Sequence, residues 1–128
     1  MKKLIVPMFF LLLAWSCSPS QKTSLSDRHS IIKSDSTEYE ITIIDPDFDS
    51  WYLMNFSQSK DYSNQFYRSK NQVAVINWND YFNRNRYHRV IDNYIFYDSS
   101  VDYGIEVNRK LYWYFKYTED KFRIRLFN

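Results

Sequence analysis

The sequence predicts a small α+β domain, mainly helical, with about three helices and a small two- or three-stranded antiparallel sheet. Apolar residues alternate one in two over 38–44 and again over 122–126, which is the strand period. Between those stretches they recur at three- and four-residue spacing over 46–56, 61–82 and 102–115, which is the helix period. The stretch from residue 38 to residue 128 is long enough for one domain with one core.

The chain opens with Lys2 and Lys3, then an uncharged run from Leu4 to Trp15, then Ser16 and Cys17. A basic start, a short apolar run and a small residue make the pattern of a secretory signal. The run has twelve residues, against the about 20 that a bilayer span needs. Cys17 is the chain's one cysteine. In an oxidising compartment a lone thiol is a liability unless its sulfur is consumed. Leu13-Ala14-Trp15-Ser16-Cys17 resembles a bacterial prolipoprotein signal. That resemblance implies cleavage before Cys17, diacylation of its sulfur with palmitate-like chains, and usually acylation of the new amino group. Residues 1–16 are therefore expected to be a lipoprotein signal peptide and Cys17 the lipid-attachment site. Their removal takes Lys+Arg from 17 to 15, level with the 15 Asp+Glu. A balanced charge gives no general attraction to nucleic acid or to an anionic membrane.

Residues 17–37 read as a flexible tether. Ser18 to Thr37 contains seven serines, and only Leu25, Ile31 and Ile32 could pack. Such a segment buries too little surface to offset its ordering entropy. Its coil would hold the domain about 25 Å from the anchor. Residues 38–128 then form the single globular domain. Tyr39, Ile41 and Ile43 alternate with Glu38, Glu40 and Thr42 as a half-buried strand. Asp45-Pro46 ends it, with Asp45 placed as an N-cap and Pro46 at the first helical position. Phe48, Trp51, Tyr52 and Phe56 carry a short helix to about residue 56. Asp61 opens a longer helix with a stripe of Tyr62, Phe66, Val73, Ile76, Trp78 and Phe82, bent near 69–71. Tyr94 to Tyr97 reads as a short strand and Asp98-Ser99-Ser100 as a turn. Asp102 is placed to cap a last helix with Ile105, Leu111, Tyr112 and Phe115 on one face and Val107 and Tyr114 beside it. Phe122, Ile124 and Leu126 alternate with Arg123 and Arg125 as a strand that would pair with 39–44.

The run Tyr39-Glu40-Ile41-Thr42-Ile43-Ile44-Asp45-Pro46-Asp47-Phe48-Asp49-Ser50-Trp51 resembles the opening of a family of small bacterial lipoproteins classed only as a domain of unknown function. Trp78-Asn79-Asp80-Tyr81, Asn83-Arg84, the run from Asp102 to Asn108 and Leu111-Tyr112-Trp113-Tyr114-Phe115 agree with it. The likeness covers about 39–117. It implies lipoprotein identity and a single domain, and it brings no activity with it.

Candidate chemistry is sparse. Asp45, Asp47 and Asp49 mimic the start of a calcium loop, but its sixth and twelfth positions are Ser50 and Phe56 where glycine and glutamate are needed. His29 and His88 are distant and lack a cysteine partner for zinc, so no metal and no cofactor is expected. Ser50 sits in no nucleophile elbow. Asp98, Asp102, Glu106 and Glu119 have no spacing that demands a hydrolase pair, and no catalytic residue is assigned. Arg84, Arg86 and Arg89, with Tyr81, Tyr87 and Trp78, form a basic-aromatic patch. Its expected role is pairing with the acidic stretches: seven acids over 35–61 and four over 92–106. Exposed, it would instead take a phosphorylated lipid sugar. Trp51, Trp78 and Trp113 are expected in or at the core; exposed, they would stack on sugars. The leading expectation is a lipid-anchored, non-catalytic accessory or scaffold of the bacterial cell envelope. It would lie on the periplasmic face of the outer membrane, beside an unidentified protein partner and without nucleic acid. The alternative is a glycan- or peptidoglycan-binding module that uses exposed aromatics with Arg84, Arg86 and Arg89.

Overall fold

One helix near the C-terminus is buried all round over its middle turns, and the rest of the chain is arranged around it. A computed structural model of the protein describes residues 30–35 and 38–128. The expected signal over 1–16, Cys17, His29 and the tether up to 29 lie outside the described residues. Strand β1 (Ser30–Asp35) is followed by β2 (Glu38–Ile43), helix α1 (Pro46–Asn55), a single 3-10 turn (Gln58–Lys60), α2 (Asn64–Asn83) and α3 (Ile105–Phe122). The architecture is mainly helical α+β, with the three expected helices.

Strand β2 alternates as its sequence requires. Ile41 is buried, Tyr39 and Ile43 are half-buried, and Glu40 is exposed. Its backbone partner is β1, antiparallel, with Ser30 opposite Ile43 and Asp35 opposite Glu38. This corrects the tether boundary, because 30–35 lies in the segment read as coil up to residue 37. Serine-rich composition hid a strand that contains the β-branched pair Ile31-Ile32. It also corrects the pairing: 122–126 joins no sheet among the described residues.

Helix α1 begins as expected. Asp45 accepts a hydrogen bond from the Asp47 backbone N–H at 3.0 Å, with Pro46 at the first helical position. Phe48 is fully buried, Trp51 and Tyr52 half-buried, and Leu53 and Met54 face outward. Helix α2 is capped by Ser63, whose hydroxyl accepts from the Phe66 N–H at 3.1 Å, so it starts after Asp61. It runs unbroken through 69–71. Its inward face holds Tyr67, Asn71, Ala74, Val75, Trp78 and Asn79, whereas Val73 and Ile76 are exposed. The expected stripe was thus rotated. Treating asparagine as an outward residue forces that error, because Asn71 and Asn79 are both buried.

Gly104, at φ 89, precedes α3. A β-carbon there would have open space around it, so what favours glycine is the backbone conformation rather than crowding. The Asp102 carboxylate accepts the Gly104 N–H at 2.9 Å, two residues before the helix, and does not itself cap it. Residues 111–115 of α3 are all buried, so the expected face of Leu111, Tyr112 and Phe115 widens at mid-helix to take in Trp113 and Tyr114. Helices α1 and α2 and strand β2 all pack on it. Ile105, expected on its inner face, is exposed. Arg123, left-handed at φ 58, ends it.

Two extended stretches complete the core without a sheet. In 91–98, Ile91 and Ile95 are buried while Tyr94, Phe96 and Asp98 are exposed; in 122–127, Ile124 and Leu126 are buried while Arg123 and Arg125 are exposed. The strand alternation is real, but the hydrogen-bond partners are side chains of helices. The Asn79 amide donates to the Ile95 carbonyl and accepts the Ile95 N–H, each at 2.8 Å. Trp78 Nε1 donates to the Asn93 carbonyl at 2.8 Å. Asn77 donates to the Leu126 carbonyl at 2.7 Å, and Glu119 accepts the Leu126 N–H at 2.9 Å. Buried backbone must find partners, and these side chains supply them.

Asn79→Ala should therefore lower stability by about 2–4 kcal/mol, since it strands two buried backbone groups. Ile76→Ala, one turn away on the exposed flank, should stay within about 0.5 kcal/mol of the parent. Urea midpoints of the two variants check the contrast.

Candidate functional site

The outer flank of α2 and the segment 94–99 face each other across an open groove of about 700 Å³. Ile76 and Asp80 stand on the helical wall; Tyr94, Phe96 and Asp98 stand on the other. The Asn79–Ile95 clamp joins the two walls. Phe96 is 82% exposed and Ile76 61%. Both exposures follow from that clamp. Burying Ile91 and Ile95 turns Tyr94 and Phe96 outward by the two-residue period. Burying Asn71 and Asn79 rotates α2 so that Val73 and Ile76 face out.

The charges in the groove are fixed near neutral pH. Hydrogen bonds from the Ser100 hydroxyl, at 2.6 Å, and the Ser100 N–H, at 2.9 Å, hold the Asp98 carboxyl below its usual range. Burial pushes the Tyr97 hydroxyl up to about 12, against the opposing effects of Asn71 and Arg68. That hydroxyl donates to the Asn108 side-chain carbonyl at 3.0 Å. The wall thus presents the Asp98 anion beside apolar surface, while the Tyr97 hydroxyl is spent on Asn108.

The tryptophans do not form one surface. Trp78 is wholly buried, and Trp113 is 8% exposed with Nε1 directed at the Tyr67 hydroxyl, 3.3 Å away. Neither can present a ring face to a sugar. Trp51 is half-buried and donates from Nε1 to Asp120 at 3.1 Å; its ring lies 6.3 Å from that of Trp113. The arginines of the basic patch lie on the turn after α2 and are exposed. Arg84 pairs with Asp80 at 3.2 Å. Arg86 lies over the rings of Tyr81, at 5.6 Å, and Tyr87, at 5.1 Å. Asn85 and Tyr87 hold left-handed backbone at φ 53 and 56, uncommon for residues other than glycine. The charge matching expected between the acidic stretches 35–61 and 92–106 and the basic segments 68–89 and 109–125 is present. Arg109 pairs with Asp61, Arg68 with Asp102 and Lys121 with Asp47, while Arg84 pairs within its own helix end.

Several of the acidic residues read from sequence have structural partners. Asp45 caps α1, and Asp47 meets Lys121. Asp102 accepts from Asn64 and Gly104. Glu119 holds the C-terminal segment through Leu126 and Phe127. Among the described residues, no group of three or more His, Cys, Asp or Glu is placed to hold a metal ion. No helix among them is long and apolar enough to cross a membrane.

Sequence reading missed the groove. Its one signal was the outward half of the alternation, Tyr94 and Phe96, inside a run taken as an ordinary strand. A second feature it missed is the cluster on Asp61. Arg109 donates to both Asp61 oxygens, at 3.0 and 2.7 Å, while the Tyr67 hydroxyl and the Tyr62 N–H also donate to Asp61. This cluster ties the loop before α2 to α3.

A model for a family of unknown function, DUF6146, matches the chain over residues 3–128. No curated protein matches it. No solved structure matches it either.

The hydrogen bonds from Arg109, then that from Tyr67, hold the Asp61 carboxyl below its ordinary value of 3.8. A lowered carboxyl stabilises the fold above the unfolded value, and that contribution is lost as pH falls through the folded value. Stability measured by urea should thus decline as pH drops below about 4. Asp61→Asn should be less stable at neutral pH and show a shallower acid decline; an acid limb as steep as the parent's would contradict this.

Proposed function

The chain belongs to this family of unknown function, and we propose that it is a lipid-anchored, non-catalytic accessory protein of the bacterial cell envelope that docks a partner protein at the α2 groove. The observation that carries the reading is Phe96, a large aromatic side chain left almost fully in water on a rigidly held wall, facing the exposed Ile76. Exposed apolar side chains grouped around a groove mark an interaction surface, whereas scattered ones do not. The anchor is proposed from Lys2-Lys3, the Leu4–Trp15 run and Cys17, which together resemble a prolipoprotein signal. Two or more acyl chains hold a protein stably at a membrane where one does not. The strand-Asp-Pro-x-Phe-Asp-x-Trp opening, Tyr39 to Trp51, supports the same lipoprotein assignment by its resemblance. We place the domain on the periplasmic face of the outer membrane, without a cofactor and without nucleic acid.

Glycan binding is the competing reading. Two of its three tryptophans, Trp78 and Trp113, are buried, which leaves Trp51 and the turn bearing Arg84, Arg86 and Arg89 to carry it.

In a bacterial host, labelled palmitate should enter the parent chain and fail to enter Cys17→Ala. A photo-crosslinking residue at position 96 should give one reproducible protein adduct that Ile76→Asp abolishes. Label in Cys17→Ala equal to the parent would remove the anchor. Co-sedimentation with purified peptidoglycan, with no protein adduct, would replace docking by glycan binding.

A further inference from the structure

The segment 91–98 is strand-like in its alternation, yet its partner is a helix side chain. Successive residues of an extended chain turn their backbone groups to opposite edges. Ile95 uses its edge on the Asn79 amide, which stands where a neighbouring strand's peptide would stand. Phe96 comes next, and among the described residues its N–H and C=O make no intramolecular hydrogen bond. Asp98 on the same edge is closed, its N–H donating to the Tyr103 hydroxyl and its carbonyl accepting the Val101 N–H. The Tyr94 carbonyl accepts the Asn93 amide at 3.4 Å. Among the described residues the segment therefore offers a short open edge at Phe96 and the Tyr94 N–H, held in place from the other side.

We propose that this edge takes up an extended polypeptide of the partner protein, with alternating apolar and basic side chains, as an added β-strand. The proposal rests on the docking reading above and names the partner's chemistry. Main-chain hydrogen bonds to an open edge supply affinity in this mode, and alternate side chains supply specificity. One set of the partner's side chains would lie in the groove on Phe96, Tyr94 and Ile76. The charge follows from Asp80 and Asp98, which line the groove without a Lys or Arg among the lining residues. Asp80 shares its charge with Arg84; among the described residues the Asp98 carboxylate accepts from the Ser100 hydroxyl and N–H and meets no cation. Residues 92–106 carry four acids and no base. That balance also argues against a second copy of this chain.

The test uses the full chain in detergent and a fluorescein-labelled heptapeptide of alternating lysine and isoleucine, read by anisotropy. Saturable binding is expected. Replacing each lysine by glutamate, or methylating alternate backbone nitrogens of the peptide, should weaken it by roughly tenfold or more. Phe96→Ala, whose side chain is almost wholly in solvent and should fold as the parent does, should weaken it roughly tenfold as a lost anchor. No saturable binding, equal binding of the N-methylated or acidic peptide, or binding indifferent to Phe96→Ala would each overturn the proposal. A dimer in sedimentation velocity that Phe96→Ala dissolves would overturn it in favour of a second copy. Peptidoglycan binding lost in Phe96→Ala would overturn it in favour of a glycan. A protein adduct at position 96 together with failure of the heptapeptide would leave docking standing and strike out strand addition alone. Peptide binding without any adduct would overturn the docking reading and with it a partner protein as the occupant of the edge.

Discussion

The fold depends on helix side chains taking the place of a sheet. Two extended stretches, 91–98 and 123–128, enter the core with no strand beside them among the described residues. Their buried backbone groups would be left unpaired, at about 1–3 kcal/mol each. Asn79 removes that cost for Ile95 in both directions, and Trp78, Asn77, Tyr81 and Glu119 act in the same way nearby. An amide side chain suits the task, because it carries a donor and an acceptor in the same arrangement as a peptide group. The helix must then turn its asparagines inward, and its aliphatic residues Val73 and Ile76 go to the surface. The groove is a consequence of that rotation and of the alternation in 91–98.

This explains which parts of the molecule were legible in sequence. Strand β2 and helix α1 were, because Tyr39, Ile41 and Ile43 alternate cleanly and Asp45-Pro46 is a strong boundary. The extent of α3 was largely legible from its apolar density. The face of α2 was not. Hydrophobic periodicity counts Asn71 and Asn79 as outward, although each is buried and paired with backbone of another segment. The same blindness misplaced the last segment. Phe122, Ile124 and Leu126 do alternate, but alternation reports burial on one side and is silent about what completes the hydrogen bonds. Strand β1 was lost to composition, since serines flank its isoleucines.

The candidate site was legible only in fragments. Trp78 and Trp113 were rightly weighed as core residues, and their burial removes them from any sugar-binding surface. Pairing of acidic with basic segments was also foreseen, and Arg109 with Asp61 and Arg68 with Asp102 make it, while Arg86 of the basic-aromatic patch lies on tyrosine rings instead. The aromatic side chain that matters most on the surface, Phe96, sits in a run that sequence could not orient without knowing about Asn79. The proposed anchor and the proposed docking at the groove are consistent with each other, because proximity to a membrane and a preformed edge would both lower the entropy cost of binding.

Hydrogen exchange at the Ile95 amide tests the central claim most directly. If the Asn79 side chain is that amide's partner, Ile95 should be protected in the parent chain. In Asn79→Ala it should lose far more protection than Leu111 at the centre of α3. Equal loss at the two positions, or an Ile95 amide as slow in the variant as in the parent, would show that something other than Asn79 holds the segment in place.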